Sequence, residues 1–110
     1  MPKQSTTALL VFTTVAKKSD AEKITKVLLQ KKLAACVTTL PPAESRYVWK
    51  GKLYNEKELV LMIKTLKSKY PQLEKALKAV HPYECPEIVG VPMAKVFAPY
   101  HRWLRDSVTD

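Results

Sequence analysis

The spacing of apolar and polar positions changes several times along the chain and predicts a mixture of strands and helices. Residues 8–14 form a short apolar run with β-branched and aromatic members, which is typical of a buried strand. Over about 20–33, apolar residues recur at helical spacing with lysines between them, which predicts an amphipathic helix. Ser19, with Glu22 three residues later, predicts a capping box at its start. Residues 33–40 are apolar and β-branched and predict the second strand.

The middle of the chain predicts a long hairpin. Pro41 and Pro42 interrupt the second strand, which favours a bulge or an edge position. Lys50 and Gly51 supply a two-residue turn, after which one long return strand begins and runs on past a charged patch at 55–58. The segments expected to be extended are 45–49, 52–54 and 59–65. Two strands of this length exceed what a monomer of this size supports, so we expect their far ends to protrude towards a partner.

The last third of the chain predicts a helix, a strand and a short helix. Tyr70 and Pro71 open the second helix, because proline suits the first helical position, and Pro82 ends it. Residues 88–93 predict an edge strand, and 99–105 predict the final helix. The order strand, helix, strand, strand, helix, strand indicates an α+β fold of the ferredoxin-like (split βαβ) kind. Such a fold is an antiparallel sheet with two helices on one face.

Size and composition predict one compact domain in a reducing compartment. The chain has 110 residues, of which 46% are hydrophobic and only two are glycine. We expect residues 1–7 to be frayed and residues 8–108 to form the domain. The start of the chain has no signal-peptide pattern, no apolar run approaches the roughly 20 residues that span a bilayer, and two cysteines make no disulfide scaffold. We therefore expect a cytoplasmic protein without a membrane partner.

The formal charge of +9 is concentrated in the first half of the chain and predicts a solvated lysine face on the first helix. An acidic partner such as nucleic acid is the alternative interpretation. Neither aromatic nor arginine side chains are interleaved with these lysines as a base-stacking platform requires, and 50–53 lacks the aromatics of an RNA-recognition motif. We therefore predict no nucleic-acid partner. The lysines concerned are Lys17, Lys18, Lys23, Lys26, Lys31 and Lys32.

The segment 81–87, His-Pro-Tyr-Glu-Cys-Pro-Glu, holds the densest chemistry of the chain. Its prolines make it stiff and exclude a helix. His81 and Cys85, together with Cys36, are candidate ligands for copper or zinc. Their spacing disfavours a preformed site, because an extended chain separates His81 and Cys85 by about 13 Å. No third orienting group supports a catalytic thiol at Cys85, so we predict no enzymatic activity.

Four aromatic side chains are candidates for a subunit interface. Trp49 lies beside the hairpin turn, where a monomer would leave it exposed, and an exposed tryptophan marks an interface. Packing in the core is the alternative. The four are Tyr47, Trp49, Tyr100 and Trp103.

Several motifs together resemble the CutA family, the divalent-cation tolerance proteins. The resemblance covers the chain from about residue 8 to 108 and implies a ferredoxin-like subunit in a homotrimer with a PII-like architecture. It also implies copper or other divalent-cation binding, without a required cofactor. The motifs are 33–37 (Leu-Ala-Ala-Cys-Val), 47–52 (Tyr-Val-Trp-Lys-Gly-Lys), Glu58 with Ile63, Lys64 and Thr65, the segment 81–87, and Tyr100 with Trp103.

Carried over residue by residue, Cys36 occupies the family's cysteine position, and His81 lies in its His-Pro-Tyr segment. The resemblance also suggests a cleft or ligand role for Glu58, Lys64, Tyr83 and Glu87. The chain departs from some relatives, which carry a cysteine at Thr13, a histidine at Val80 or an asparagine at Thr38. The first two departures weaken an inherited metal site, and Cys85 partly compensates.

The function predicted from the sequence is a non-enzymatic homotrimer that binds a divalent metal, copper first, near subunit clefts. One alternative is a PII-like module that binds a small ligand in the intersubunit cleft. The other is a structural adaptor trimer whose link to metals is indirect.

Overall fold

The computed structural model describes residues 6–109, which form an α+β fold with a five-stranded antiparallel sheet and three α-helices. This confirms the predicted α+β class with an antiparallel sheet. The elements are β1 (Ala8–Val15), α1 (Lys18–Gln30), β2 (Cys36–Thr39), β3 (Ala43–Trp49), β4 (Lys52–Leu66), α2 (Tyr70–Val80), β5 (Val89–Pro92) and α3 (Ala98–Val108), with a 3₁₀ turn at Lys67–Lys69 before α2.

The fifteen-residue strand β4 lies at the centre of the sheet. Its inner half pairs with β1 on one side and with β2 on the other, while its outer half pairs with β3. β5 pairs with the other edge of β1, which gives the order β2-β4-β1-β5. The outer half of β4, residues 52–58, and β3 project beyond the end of β1 as a two-stranded arm. We call these two segments the arm.

The two faces of the sheet are covered differently. Side chains alternate between faces along a strand, so Leu9, Val11 and Val15 of β1 point to one face. There they form the main core with buried residues of α1 and α2, among them Ile24 and Leu77. Helix α3 packs on the other face at one end of β1, in a smaller cluster of buried residues that consists of Ala8, Leu66, Leu104 and Val108.

The rest of that second face carries no helix. Paired residues lie side by side on one face of a sheet, so the register places Leu10 beside Val91 and Phe12 beside Val89. Val89 and Val91 are exposed, and the two β1 residues are half-buried. We call this surface the open face; its apolar members are Leu10, Phe12, Met62, Val89 and Val91, and its polar members are Cys36, Thr38 and Lys64.

A one-residue bulge separates β2 from β3, as the two prolines predict. Thr39 lies opposite Leu61, and Ala43 lies opposite Glu58. Between these two pairs the chain advances four residues from β2 to β3 but only three residues along β4, so one residue is extra and forms the bulge. The bulge contains Pro41 and exposes it. Proline cannot donate a ladder hydrogen bond, so this position loses pairing at little cost.

The predicted ends of α1 are wrong. The helix begins at Lys18 with Lys17 as its N-cap and has no side-chain capping bond, so Ser19 lies inside the helix and forms no capping box. It ends at Gln30, because Lys32 adopts a positive φ of 54° and Leu33 N donates to Leu28 O at 2.9 Å. This is a Schellman arrangement.

The lengths of the other elements agree with the prediction in part. β4 runs on past the charged patch at 55–58, as predicted, because the continuous ladder with β3 satisfies the backbone there and charged side chains point into solvent or, at Glu58, to a partner. α3 covers eleven residues instead of the seven expected, and β2 is shorter than predicted. Of the residues expected to be frayed, 1–5 lie outside the described residues, whereas Thr7 O accepts a hydrogen bond from Lys67 N at 2.8 Å.

The turn at the tip of the arm yields a stability prediction. Lys50 and Gly51 both have positive φ, 52° and 78°, which is the backbone of a type I′ turn. A Cβ at Gly51 would meet no atom within 4 Å, so a Gly51→Ala substitution acts only through the backbone. We expect it to lower the free energy of unfolding by about 1–2 kcal/mol. Lys50→Gly relieves the same strain at the neighbouring position and should raise that free energy. Urea unfolding at one fixed protein concentration measures both, and effects of the same sign would contradict the turn assignment.

Candidate functional site at the base of the arm

A buried carboxylate lies where the arm leaves the sheet. Glu58 is only 5% exposed, and the hydroxyl of Tyr83 donates a hydrogen bond to its Oε2 at 2.6 Å. Burial and the hydrogen bond to Glu58 both raise the pKa of Tyr83, so the phenol stays protonated and remains a donor. Tyr83 therefore supplies the hydrogen bond that a carboxylate needs when it leaves water.

His81 connects Tyr83 to the end of β1. Its Nδ1 accepts a hydrogen bond from the backbone N–H of Tyr83 at 3.1 Å. Its Nε2 lies 3.0 Å from Thr14 O and 3.1 Å from Thr13 Oγ1. Because Nδ1 accepts, the ring proton is assigned to Nε2, which donates to Thr14 O. Burial lowers the pKa of His81, which agrees with this neutral tautomer.

The local sequence explains this placement. His81 is the C-cap of α2, with φ −76° and ψ 133°, the extended conformation that a residue before proline prefers. Its N–H still donates to Leu77 O at 2.9 Å, so the helix ends without losing that bond. The ring of His81 packs edge-on against that of Tyr83, with the centroids 4.9 Å apart. Pro82 thus turns the chain so that Tyr83 reaches the base of the arm.

A groove of about 660 Å³ runs beside Glu58. Leu40, Pro41 and Leu59 line its apolar walls, and Lys18 and Lys57 also border it. The arrangement offers one carboxylate and two ammonium groups around an apolar surface. Such a groove suits a small molecule that has both an apolar body and polar groups.

A second polar cluster lies on the open face. Lys64 Nζ donates to Thr38 Oγ1 and lies 3.8 Å from Cys36 Sγ. Cys36 also lies 3.8 Å from the hydroxyl of Thr38. Burial and, to a lesser degree, a charge on Cys36 raise the pKa of Tyr100 on the last helix.

The predicted metal ligands do not meet within one chain. Cys36 lies on the open face, whereas His81 bonds to Thr13 on the helix-covered face. Cys85 is exposed and lines a separate groove with Glu74 and Lys78. In the part of the chain that the structure describes, no three His, Cys, Asp or Glu side chains are grouped so that they could hold a metal ion. The three predicted ligands therefore form no common site within residues 6–109, and their metal role stays a prediction.

Of the residues predicted to share a cleft, the structure brings together Glu58 and Tyr83. Lys64 is six residues further along β4, about 20 Å away at the rise of a strand. Glu87 is exposed in the segment before β5. The ligand role of these residues also stays a prediction.

The predicted interface aromatics are exposed in the single chain. Trp49 is 39% and Trp103 is 48% exposed. Tyr47 stacks on Tyr54 at 5.3 Å within the arm, and Tyr100 packs against Trp103 at 5.4 Å on α3. Their exposure agrees with the expectation for Trp49, and their role in an interface remains untested.

Three threonines of these sites were missed from the sequence. Thr13 and Thr14 lie near the end of an apolar strand. Buried polar groups need hydrogen-bond partners, so their position could have predicted a polar side chain nearby. Thr38 had no such signal, because its contact with Lys64 depends on the register of β2 against β4. Thr13 stands where some members of the resembled family carry a cysteine, and here its hydroxyl contacts His81.

Comparison with known proteins confirms the family resemblance. Residues 9–107 match the profile of the CutA1 divalent ion tolerance protein. The divalent-cation tolerance protein CutA of Thermus thermophilus is 40% identical over 98 residues, which cover 89% of this chain and 95% of that protein. A solved structure of the divalent cation tolerance protein from Thermus thermophilus has a TM-score of 0.89 at 38% identity and covers 93% of this chain and 99% of that one.

A human relative, protein CutA, is 38% identical over 102 residues, and the match covers 90% of this chain but 57% of the human protein. The chain thus spans little more than half the length of that relative. Some relatives are named chloroplastic or periplasmic, so membership of the family does not assign a compartment. No helix within residues 6–109 has the length and apolarity needed to cross a bilayer.

The hydrogen bond between Tyr83 and Glu58 can be tested by a double-mutant cycle. Tyr83→Phe removes the donor and leaves the carboxylate of Glu58 buried without it, so we expect the free energy of unfolding to fall by about 1–3 kcal/mol. In a Glu58→Gln background the same change should cost less, because an amide requires less stabilisation than a carboxylate. Chemical denaturation of the four proteins gives the coupling energy. A coupling near zero would mean that this bond does not stabilise the base of the arm. Tyr70→Phe, which removes a hydroxyl bonded to the exposed Glu74 at 2.7 Å and to Ile88 O at 3.4 Å, is the comparison variant.

Proposed function

The chain belongs to the CutA1 divalent ion tolerance family, and on that basis we propose that it works as a non-enzymatic homotrimer that binds a divalent cation, with copper as the first candidate. Each subunit has the ferredoxin-like fold, and the assembly is PII-like. The cation is bound weakly and near the clefts between subunits, so no cofactor is required for folding. We place this protein in the cytoplasm.

The open face is the observation that carries the proposal of a trimer. Its apolar side chains Leu10, Phe12 and Met62 are not covered by any helix of the described chain, and the neighbouring valines of β5 are nearly half exposed. An apolar surface of this kind on a small domain is covered when copies associate. Closure of three open faces around a common axis buries them all equally.

The unpaired strand edges support the same assembly. Within residues 6–109, β3 pairs only with β4, and β5 pairs only with β1, so each has one edge free. Free edges favour pairing with another chain. The arm projects far enough to reach a neighbour, since the subunit measures 48 Å along its long axis against 28 Å and 26 Å along the others. Tyr47 and Trp49 of the arm, with Tyr100 and Trp103 of α3, would then be buried between subunits.

A cation site has to be completed by a second subunit, because the candidate ligands within residues 6–109 of one chain are apart. Cys36 lies on the open face, where trimer closure brings copies of it towards one another. Cys85 is exposed and accessible to a neighbour. His81 takes part only if the metal displaces one of its hydrogen bonds, to Thr14 O or from Tyr83 N. Thiolate and imidazole ligands favour copper and zinc over magnesium.

One observation favours the alternative of a PII-like module that binds a small ligand. The ammonium of Lys64 lies beside Cys36 and Thr38 on the open face, and a positive charge there opposes a cation but attracts an anionic ligand. The groove beside Glu58 offers a second place for a ligand at the base of the arm.

Sedimentation equilibrium tests the trimer. We expect a mass of three times the 12.5 kDa chain at micromolar concentration, and a monomer would contradict the proposal. Trp49→Ala should shift the equilibrium towards monomers, because buried tryptophans are common interface hot spots, worth about 2 kcal/mol or more. Leu29→Ala removes a side chain of similar exposure from α1, on the helix-covered side, and should leave the mass unchanged.

Calorimetric titration of the trimer tests the cation site. Zn²⁺ is titrated beside Cu²⁺, because zinc has no redox chemistry and leaves the thiols intact. We expect Cys36→Ser and the double variant His81→Ala/Cys85→Ser each to weaken binding by about tenfold or more. An isotherm of the double variant identical to that of the unmodified protein would remove His81 and Cys85 from the metal role.

Lys64→Gln in the same titration separates the two candidate functions. Loss of the ammonium should tighten binding of a cation near Cys36, whereas it should weaken binding of an anionic ligand. Lys95→Gln removes an exposed lysine elsewhere and is the control.

A further inference from the structure

The outer surface of the two core helices carries most of the chain's net charge. Segments 17–32 and 67–80, which contain α1 and α2 and the turns beside them, hold ten lysines against three acidic residues, a net charge of +7 out of +9. Both helices pack on the same face of the sheet, so their polar sides face the same side of the molecule. We call this surface the lysine layer, and define it by six exposed members: Lys18, Lys23, Lys26, Lys31, Lys75 and Lys78.

The six lysines of the layer are not neutralised by ion pairs with acidic side chains. Among the described residues, ion pairs of 4 Å or less join Arg46 to Glu44, Lys50 to Glu84, and Arg105 to Asp106, and none of these involves the lysine layer. The layer also lies on the side of the sheet away from the open face, so association through the open face leaves it accessible. We infer that the lysine layer binds a linear inorganic polyphosphate chain.

The composition of the layer favours a phosphate polymer without bases. All the cationic side chains of the layer are lysines, whose compact ammonium groups bind phosphate as point charges. Base recognition commonly uses arginine instead, because its guanidinium group can donate two hydrogen bonds to the acceptor atoms O6 and N7 of guanine. Exposed aromatic rings, which would stack on bases, lie on the arm and in or next to α3 instead: Tyr47, Trp49, Phe97, Tyr100 and Trp103. The layer therefore offers charge without base recognition.

A DNA duplex and an anionic membrane fit the lysine layer less well than polyphosphate does. A DNA duplex is straight over this distance, so it meets a surface along one line, whereas a thin flexible chain can follow lysines on both α1 and α2. An anionic membrane binds best when apolar side chains insert beside the lysines. Leu29, 42% exposed, is the one large hydrophobic side chain exposed on α1 and α2, both of which the structure describes in full.

The test is binding of inorganic polyphosphate of defined length to the full chain, measured by calorimetry at several salt concentrations. We expect the logarithm of the affinity to fall linearly with the logarithm of the salt concentration, as ion release requires. The triple variant Lys26→Gln/Lys75→Gln/Lys78→Gln should weaken binding by about tenfold or more and reduce the salt slope. The triple variant Lys95→Gln/Arg102→Gln/Arg105→Gln removes the same charge from exposed positions outside the layer and should change the affinity by less than about threefold.

Three results would overturn the inference. They are no binding of polyphosphate at about 50 mM salt, an equal loss in both triple variants, and tighter binding of a duplex DNA or of phosphatidylserine vesicles than of polyphosphate. Equal loss would show that only total charge matters. The layer lies on the side of the sheet opposite the open face, so the layer variant should sediment as the unmodified protein does. The control substitutions Arg102→Gln and Arg105→Gln lie on α3, and sedimentation of that variant shows whether they disturb the trimer. All six substituted side chains are exposed, so circular dichroism should show them folded.

Discussion

The other strands of this fold take their position from β4, whose two halves obey different constraints. In the inner half Leu61 and Ile63 are fully buried, so a shift of one residue in register would expose the core face of the strand. The outer half has β3 as its partner on one side and an open edge on the other. Since both halves belong to one continuous strand, the buried half holds the arm in a fixed direction. Within the described residues, the arm therefore presents an unpaired edge beyond the end of β1.

Glu58 lies at the junction of the two halves, and its burial explains the chemistry of the segment 81–87. A carboxylate at the end of a core strand destabilises the fold unless a donor reaches it. The proline after His81 turns the chain out of α2 and brings the hydroxyl of Tyr83 to Glu58. His81 links this turn to β1, because its Nδ1 accepts a hydrogen bond from the N–H of Tyr83 and its Nε2 donates one to Thr14 O. The segment 81–87, with the densest group of reactive side chains in the sequence, thus joins α2, β1 and the arm. Protonation of His81 at Nδ1 would break its hydrogen bond from the N–H of Tyr83, because a protonated nitrogen cannot accept.

Most of the fold could be predicted from the sequence, because periodicity reports directly on burial. The order of the elements, the bulge at Pro41 and the start of α2 all follow from local rules. The ends of α1 do not, because Ser19 has no side-chain capping bond in the structure and a lysine, Lys32, takes the positive-φ position where glycine is usual. The sequence singled out conspicuous residues such as His81, but it did not predict their hydrogen-bond partners. Those partners depend on register and on which face of the sheet a side chain occupies, and local patterns contain neither.

The two sides of the subunit place opposite demands on assembly. The lysine layer carries charge that repels another copy, while the open face is apolar, so the proposed association would take place through the open face. That face is not purely apolar, because Lys64 lies within it beside Cys36 and Thr38. In the proposed trimer, burial of the Lys64 ammonium without a counter-charge would cost more than the apolar contacts around it contribute, and three copies near one axis would repel one another. Closure of the open face in that trimer would therefore require a negative charge near Lys64. A bound anion would provide such a charge, so in the proposed trimer the binding of an anion and the closure of the open face are coupled.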